Sequence, residues 1–302
     1  MAIGYWHWSV SWPALLCYAV VAPAHLVGLL RQLRMAEADS VAVRKLRTQA
    51  VAFQGGLALA LLALVSPIEY LSAVYIWVRA LQFLLLALVA TGLIVLGAPW
   101  RALVLAIRPR AGGTGVLGKR PVPGIKGSSH RIPWLLAHPA LTVTAVNVVW
   151  LSWQLPALYD AASTNGAVAV ASHVTCLAAG VLFWLQLIGS QPLRPKAAPL
   201  RRFRFVVGTT LAMAILGMVL VFGSGMLYPV YANSAHHVMT LVDDQQLSGA
   251  VLWMGSLVPL AISAVALLME WLSAEESADL SAGLDRLLTP RTNAWSARSG
   301  VR

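Results

Sequence analysis

Seven apolar stretches, each long enough to cross a lipid bilayer, constrain the fold of this chain more than any other feature. A transmembrane helix needs about 20 predominantly apolar residues, and none of the stretches alternates with the period of two expected of a membrane β-strand. Because spanning segments in lipid are either helices or closed barrels, we predict an all-α fold, an integral membrane seven-helix bundle. The predicted spans are about 8–30, 49–67, 71–97, 138–155, 167–189, 205–227 and 247–271.

The composition is that of a protein solvated mainly by lipid. Hydrophobic residues make up 59% of the chain and charged residues only 11%, whereas a soluble domain carries about 25% charged residues. Lys and Arg outnumber Asp and Glu by 22 to 11, an excess that would favour nucleic-acid binding in a soluble protein. In a membrane protein the placement of these residues explains the excess, so we expect no nucleic-acid partner.

The distribution of basic residues predicts the orientation of the bundle. All but one of the 22 Lys and Arg residues fall in four segments on one side of the predicted spans, at 31–50, 98–137, 190–204 and after residue 271. Since Lys and Arg are retained in the cytoplasm, the N-terminus is predicted outside and the C-terminus inside. Residues 1–271 then form the membrane domain and 272–302 a cytoplasmic tail. The exception is Arg79, near the outer end of the third span.

Polar side chains gather at the outer ends of the predicted spans. Polar groups inside a membrane are costly and are candidates for function by default, and the combination of His, Cys and Met suits a soft metal such as Cu(I). The candidate metal ligands are His173, Cys176, Met226, His236 and His237. The other polar residues assigned to this outer pocket are Arg79, Gln82, Gln154, Asp160, Asp243, Asp244, Gln245 and Gln246.

Each of these candidates also has an ordinary structural role open to it. His173 can hydrogen-bond a neighbouring helix, and Cys176 can pack as a small apolar residue. The two loop histidines can be solvated. Arg79 can extend its guanidinium to the outer headgroups or pair with one of three carboxylates, those of Glu69, Asp243 and Asp244.

Short motifs spread over most of the chain carry a resemblance to a known family. The two most specific are Leu-Pro-Ala-Leu-Tyr-Asp at 155–160 and Asp-Gln-Gln-Leu-Ser-Gly at 244–249. On these motifs the chain resembles, from about Arg44 to Trp271, the polytopic CtaG family of cytochrome c oxidase assembly factors. The resemblance implies a multi-pass protein of the bacterial plasma membrane, associated with copper-site maturation of haem-copper oxidases. The remaining matches lie at 64–68, 84–99, 138–141, 179–184 and 227–232.

The chain departs from the family pattern where the family usually has histidine. Gln82 is kept in the third span and His173 in the fifth, but most of the residues around them differ. The positions replaced are Arg79, Phe83, Gln154 and Ala169 for histidines, and Ser172 for a glutamate. A fixed cation at position 79 repels Cu(I), and the loss of imidazoles leaves a copper site short of ligands.

The resemblance gives a first functional hypothesis, a factor that supports cytochrome c oxidase assembly, with copper handling at the outer face and copper as its cofactor. Its partners would be cytochrome c oxidase subunits or a periplasmic copper donor, besides the lipid bilayer. The alternative is a metal-free structural or accessory subunit of a respiratory membrane complex, in which Arg79 pairs with Asp243 or Asp244. No activated nucleophile or carboxylate pair stands out, so we do not expect an enzyme. A transporter is disfavoured because few ionisable residues lie deep in the membrane.

Overall fold

The computed structural model is a bundle of α-helices, and it describes residues 11–36, 39–107, 138–190, 193, 195–233 and 239–288. Within these ranges the chain contains helices and no strand. Six helices of the described part are long and apolar enough to cross a membrane, and a bent pair of shorter helices brings the number to seven if it counts as one span. The predicted all-α membrane bundle is therefore confirmed.

The helices follow one another with short connections on the described part of the chain. A π-helix at Leu85–Ala90 joins two of them into one continuous span, and a 3₁₀-helix covers Pro229–Asn233. In chain order the α-helices are α1 (Trp12–Met35), α2 (Ser40–Val65), α3 (Pro67–Ser72), α4 (Ile76–Leu84), α5 (Thr91–Leu96), α6 (Trp100–Ile107), α7 (Pro139–Ser152), α8 (Pro156–Thr164), α9 (Gly166–Leu187), α10 (Pro199–Phe222) and α11 (Leu241–Leu288).

Local sequence determines where many of the helices begin. Proline occupies the first or second position of α1, α3, α7, α8 and α10, where its missing N–H would have no partner within the helix anyway. Asp39 and Asn165 cap α2 and α9, since each side chain accepts hydrogen bonds from two N–H groups of the first turn. The cap at Asp39 starts α2 ahead of its apolar segment, within the basic stretch.

The segment predicted as the fourth span, 138–155, contains α7, and a second short helix, α8, follows it at an angle. α7 has 14 residues, about 21 Å at 1.5 Å per residue, which is shorter than the ~30 Å hydrocarbon core of a bilayer. α8 starts at Pro156 and is inclined by 65° to α7. The bend turns Tyr159 towards Arg79 of α4, with the guanidinium over the tyrosine ring.

The π-helix gives the third span its close contact with α9. A wider helical turn leaves carbonyl groups that need other donors, and the indole Nε1 of Trp184 donates to the carbonyl of Leu88 at 2.8 Å. The Thr91 hydroxyl donates to the carbonyl of Ala87 at 2.7 Å. Gly180 of α9 lies directly against this segment, because a Cβ built on it would come within 2.3 Å of the Ala87 carbonyl oxygen.

The core of the bundle is formed by residues of the third, fourth, fifth, sixth and seventh spans. Trp150, Phe183 and Trp184 are buried there, and their rings contact one another in tilted and edge-on arrangements. α10 packs along α11, and α11 packs against α4. α1 lies at the periphery, where it contacts α2 and α6.

Substitution of Gly180 by alanine is expected to destabilise the bundle, because the added methyl group meets backbone and Thr91 atoms that cannot move aside. Such overpacking costs about 1–3 kcal/mol. Thermal unfolding of the purified protein in detergent measures the effect as a lowered Tm.

Gly208 on α10 provides the matched control, since a Cβ at this position would meet no other atom within 4 Å. Gly208→Ala removes a helical glycine without a clash and should leave the Tm unchanged or raise it. Equal Tm values for the two variants would contradict the close approach of α9 to the π-helix.

Candidate functional site

A small cavity of about 40 Å³ lies beside Arg79, between α4, the α7–α8 bend and α9. It has room for no more than a few water molecules. Five residues that the sequence places in an outer pocket come together here, namely Arg79, Gln82, Gln154, His173 and Cys176. We call this cavity the Arg79 pocket, and its lining is completed by Phe83, Leu86, Trp153, Tyr159 and Ser172.

The guanidinium of Arg79 is held by α8. It lies over the ring of Tyr159, with Cζ 4.1 Å from the ring centroid, and Nη1 donates a hydrogen bond to the hydroxyl of Ser163. A cation over an aromatic face is attracted by the ring quadrupole, and more strongly so when water is excluded. The helix α8 therefore supplies this cation with two of its partners.

Three buried tyrosines cover the Arg79 pocket on the side of the connecting segments. The Tyr159 ring stacks on that of Tyr228, with centroids 4.0 Å apart and planes inclined by 27°. The Tyr228 hydroxyl donates to the carbonyl of Gln154 at 2.9 Å, and the Tyr231 hydroxyl donates to that of Ser72 at 2.7 Å. These bonds join α3, the α7–α8 bend and the segment after α10.

Glu69 is the carboxylate that interacts electrostatically with Arg79 from the α2–α4 connection. Gln82 links α4 to α2 and α3. Its Nε2 donates to the Ala63 carbonyl at 2.8 Å and also to the Glu69 carboxylate. Burial raises the pKa of the Glu69 carboxyl group above its ordinary value, while the hydrogen bond from Gln82 and the charge of Arg79 act in the opposite direction.

Asp244 caps the amino terminus of α4 from the first turn of α11. Its Oδ2 accepts from the N–H of Ile76 at 2.9 Å and its Oδ1 from the N–H of Trp77 at 3.0 Å, and the side chain is fully buried. The first N–H groups of a helix lack intrahelical acceptors and carry partial positive charge. The buried carboxylate of Asp244 on α11 is thus compensated by the amino terminus of α4, which belongs to another span.

The neighbours of Asp244 also have structural contacts. Gln245 holds the segment after α10, since its Oε1 accepts from the N–H of Leu227 at 2.8 Å and its Nε2 donates to the Gly225 carbonyl at 3.1 Å. Asp243 is exposed and accepts from the Thr240 hydroxyl at 2.7 Å. Asp243 and Asp244, two of the three carboxylates named as possible partners of Arg79, thus have these contacts. Arg79 interacts electrostatically with the third, Glu69, and hydrogen-bonds to the side chains of Ser163 and Tyr231.

The remaining predicted site residues lie away from the cavity or outside the described residues. Gln246 is exposed, and Met226 has 44% of its surface exposed. Asp160 follows Tyr159 on α8, and its Oδ1 is buried without a hydrogen-bond partner among the described residues. His236 and His237 lie outside the described residues.

The Arg79 pocket does not fit a resident metal ion. Its lining offers one imidazole, His173, and one thiol, Cys176, less than one helical turn apart on α9. Nowhere in the described part of the chain do three His, Cys, Asp or Glu side chains group as metal ligands would. The third strongly polar group of the pocket is the Arg79 cation, which repels a metal ion.

His173 has a second environment that the sequence does not reveal. Besides the Arg79 pocket it lines an apolar groove between α1, α2 and α9, in which Cys17 also lies. The sequence also did not indicate the buried tyrosines or Ser163 as partners of Arg79. Tyr159, Tyr228 and Tyr231 all occur in the motifs that carry the family resemblance, and this was the available signal.

Residues 25–274 match the model of a protein family described as cytochrome c oxidase caa3 assembly factor (Caa3_CtaG). The match covers most of the chain and includes every residue of the Arg79 pocket as well as Asp244. Neither a curated protein nor a solved structure gives a significant match. The resemblance inferred from the short motifs is confirmed.

Asp244→Asn is expected to destabilise the protein, because the amide replaces one acceptor of the cap and removes the charge. Loss of a hydrogen bond to a buried charged group costs about 1–3 kcal/mol. The measurement is the Tm of the purified protein in detergent, compared between wild type and variant.

Asp243→Asn is the control at the adjacent position. Because Asp243 is exposed, the change should stay within about 0.5 kcal/mol of wild type. Two equal losses of stability would show that the effect comes from the charge at the start of α11 rather than from the cap on α4.

Proposed function

The chain belongs to the family of cytochrome c oxidase caa3 assembly factors, and from this membership we propose that it acts as a docking scaffold with no metal resident in the Arg79 pocket. The membership implies a role in cytochrome c oxidase assembly and suggests a non-catalytic one. The several apolar helices make the chain a multi-pass membrane protein. The scaffold mechanism and its location in the bacterial plasma membrane are our proposals.

The position of the Arg79 guanidinium is the observation that supports a metal-free pocket. Arg79 acts electrostatically on both His173 and Cys176, the two side chains of the cavity that could bind Cu(I). Charges interact more strongly in a low-dielectric interior than in water. The cation therefore disfavours a metal ion at the place where the two soft ligands converge.

The tyrosine contacts support a scaffold with a defined outer face. Asp244 and Gln245 fix the start of α11 to α4 and to the segment after α10, and Tyr228 fixes that segment to the α7–α8 bend. The exposed residues Asp243, Gln246 and Met226, which adjoin these contacts in the sequence, define the proposed docking surface. We propose that it contacts an oxidase subunit or a periplasmic copper donor.

Copper handling is a second candidate, supported by one observation. His173 and Cys176 share a cavity, and His236, His237 and Met226 are the further residues that could complete a transient Cu(I) site. Under this second candidate function, the protein binds Cu(I) only transiently and passes it on to the oxidase. The two candidates differ in what the purified protein retains.

Copper content distinguishes the two candidates. Wild-type protein loaded with Cu(I) under reducing conditions and desalted is expected to retain copper at background level. Arg79→His replaces the cation by a third ligand beside His173 and Cys176, and should raise the copper content towards one per chain. Combining Arg79→His with His173→Ala should return it to background.

Near-stoichiometric copper in the wild type, lowered by His173→Ala alone, would support copper handling and contradict the metal-free pocket. Background copper in the Arg79→His variant would contradict the role given to the cation. The Tm of each variant is measured in parallel so that unfolding is recognised.

The docking surface is tested in a strain that lacks the gene. Wild-type protein should restore assembled oxidase, measured as haem a absorbance and subunit content of the membranes. Asp243→Arg combined with Gln246→Arg should lower it several-fold, because both side chains are exposed and the change makes this surface positive. The Tm of the double variant is measured in parallel, because Asp243→Arg also removes the hydrogen bond with Thr240.

Glu275→Arg is the matched control, an exposed residue near the other end of α11, and it should restore oxidase fully. His173→Ala should also restore it if copper binding plays no part. Unchanged oxidase in the deletion strain would refute the assembly role, and full restoration by the double variant would refute docking at this surface.

A further inference from the structure

A large apolar cleft opens on the side of the bundle away from the Arg79 pocket. It lies between the second half of the third span, the end of α9 and the middle of α11, and its volume is about 440 Å³. Leu93, Trp184 and Ile262 are among the apolar residues of its walls. Protein interiors are normally filled to near crystal density, whereas this volume falls within the ~300–1,000 Å³ of binding sites.

One end of the cleft is charged. Arg202 of α10 and Glu270 of α11 line it, and Arg202 Nη2 lies 2.5 Å from Glu270 Oε1. Arg202 Nη1 also donates to the carbonyl of Leu187, the last residue of α9, at 2.8 Å. The guanidinium is thereby fixed in place at the mouth of an otherwise apolar space.

Arg202 has donor capacity that its protein contacts do not use. The residue is only 7% exposed, and its Nε has no hydrogen-bond partner among the described residues. A guanidinium presents five N–H donors and no acceptor, and an unsatisfied buried donor is costly. Among the described residues Arg202 thus has fewer acceptors than N–H donors, and an anionic oxygen at the guanidinium would supply one.

The surroundings of Arg202 carry an excess of positive charge. Glu270 is the acidic group that faces it, with a side chain 53% exposed, whereas Lys196, Arg201 and Arg204 are exposed nearby in the chain. Arg202 is the fourth residue of α10, about 5 Å from the helix start at 1.5 Å per residue. Helix ends lie at the level of the lipid headgroups, where basic pockets between spans recognise anionic lipids.

We propose that this cleft binds one anionic phospholipid of the leaflet that faces the basic loops. One acyl chain lies along the apolar wall between α5, α9 and α11. The phosphate accepts from Arg202 at the charged end, with Arg201 and Arg204 adding attraction. This lipid site is separate from the Arg79 pocket and from the docking surface.

Native mass spectrometry of the full-length protein released from nanodiscs tests the proposal. The nanodiscs contain equal amounts of phosphatidylglycerol and phosphatidylcholine. Wild-type protein should retain one phosphatidylglycerol molecule, at least tenfold more often than one phosphatidylcholine molecule. Ala266→Phe fills the cleft without changing its charges, and should reduce the retained lipid at least tenfold.

Ala261→Phe is the matched control, since Ala261 is equally exposed on α11 but does not line the cleft; it should behave as wild type. Arg202→Gln should abolish the preference for phosphatidylglycerol, with the Tm reporting whether the variant is folded. Equal retention of both lipids by the wild type would overturn the proposal. Equal retention by the Ala266→Phe and Ala261→Phe variants would overturn it as well.

Discussion

The carboxylate of Asp244, in the last span, accepts hydrogen bonds from the first N–H groups of α4, in the third span. Its charge compensates the partial positive charge at the amino terminus of α4. Asp244 is fully buried, and a buried charge is tolerated only where hydrogen bonds and opposite charge replace water. The N–H groups of Ile76 and Trp77 supply both. Because α4 starts at this contact, the height and rotation of the third span are set by it, and with them the place of Arg79.

Arg79 shows how a spanning helix can carry a cation whose hydrogen bonds, among the described residues, go to hydroxyl groups. Its partners are the ring of Tyr159 and the hydroxyl of Ser163 on α8, the side chain of Tyr231, and the charge of Glu69. The helix α8 that carries two of them is inclined by 65° to α7. The stacked Tyr228 then covers Tyr159. The family resemblance implies a histidine at this position, and this chain has a fixed positive charge there instead.

The sequence predicts the helices well and their contacts only in part. Long apolar stretches reveal the spans because the bilayer dictates their length, and the spacing of His173 and Cys176 places them on one helical face. The 65° bend at Pro156 could not be foreseen, since a proline at a helix start does not specify the angle of entry. Asp244 was assigned to a pocket, yet its acceptor role joins residues 168 positions apart, which no local pattern encodes.

The length of α11 has a mechanical meaning. Its 48 residues extend over about 72 Å at 1.5 Å per residue, more than twice the ~30 Å hydrocarbon core. A helix of this length is too long to lie across the hydrocarbon core alone, so part of α11 extends beyond it. Pro259 is a position at which α11 bends more easily, because proline lacks the N–H of a regular turn. Pro259 also lines the apolar cleft. Because Asp244 fixes the start of α11 to α4, the residues of α11 that line the cleft belong to the same continuous helix as the carboxylate cap.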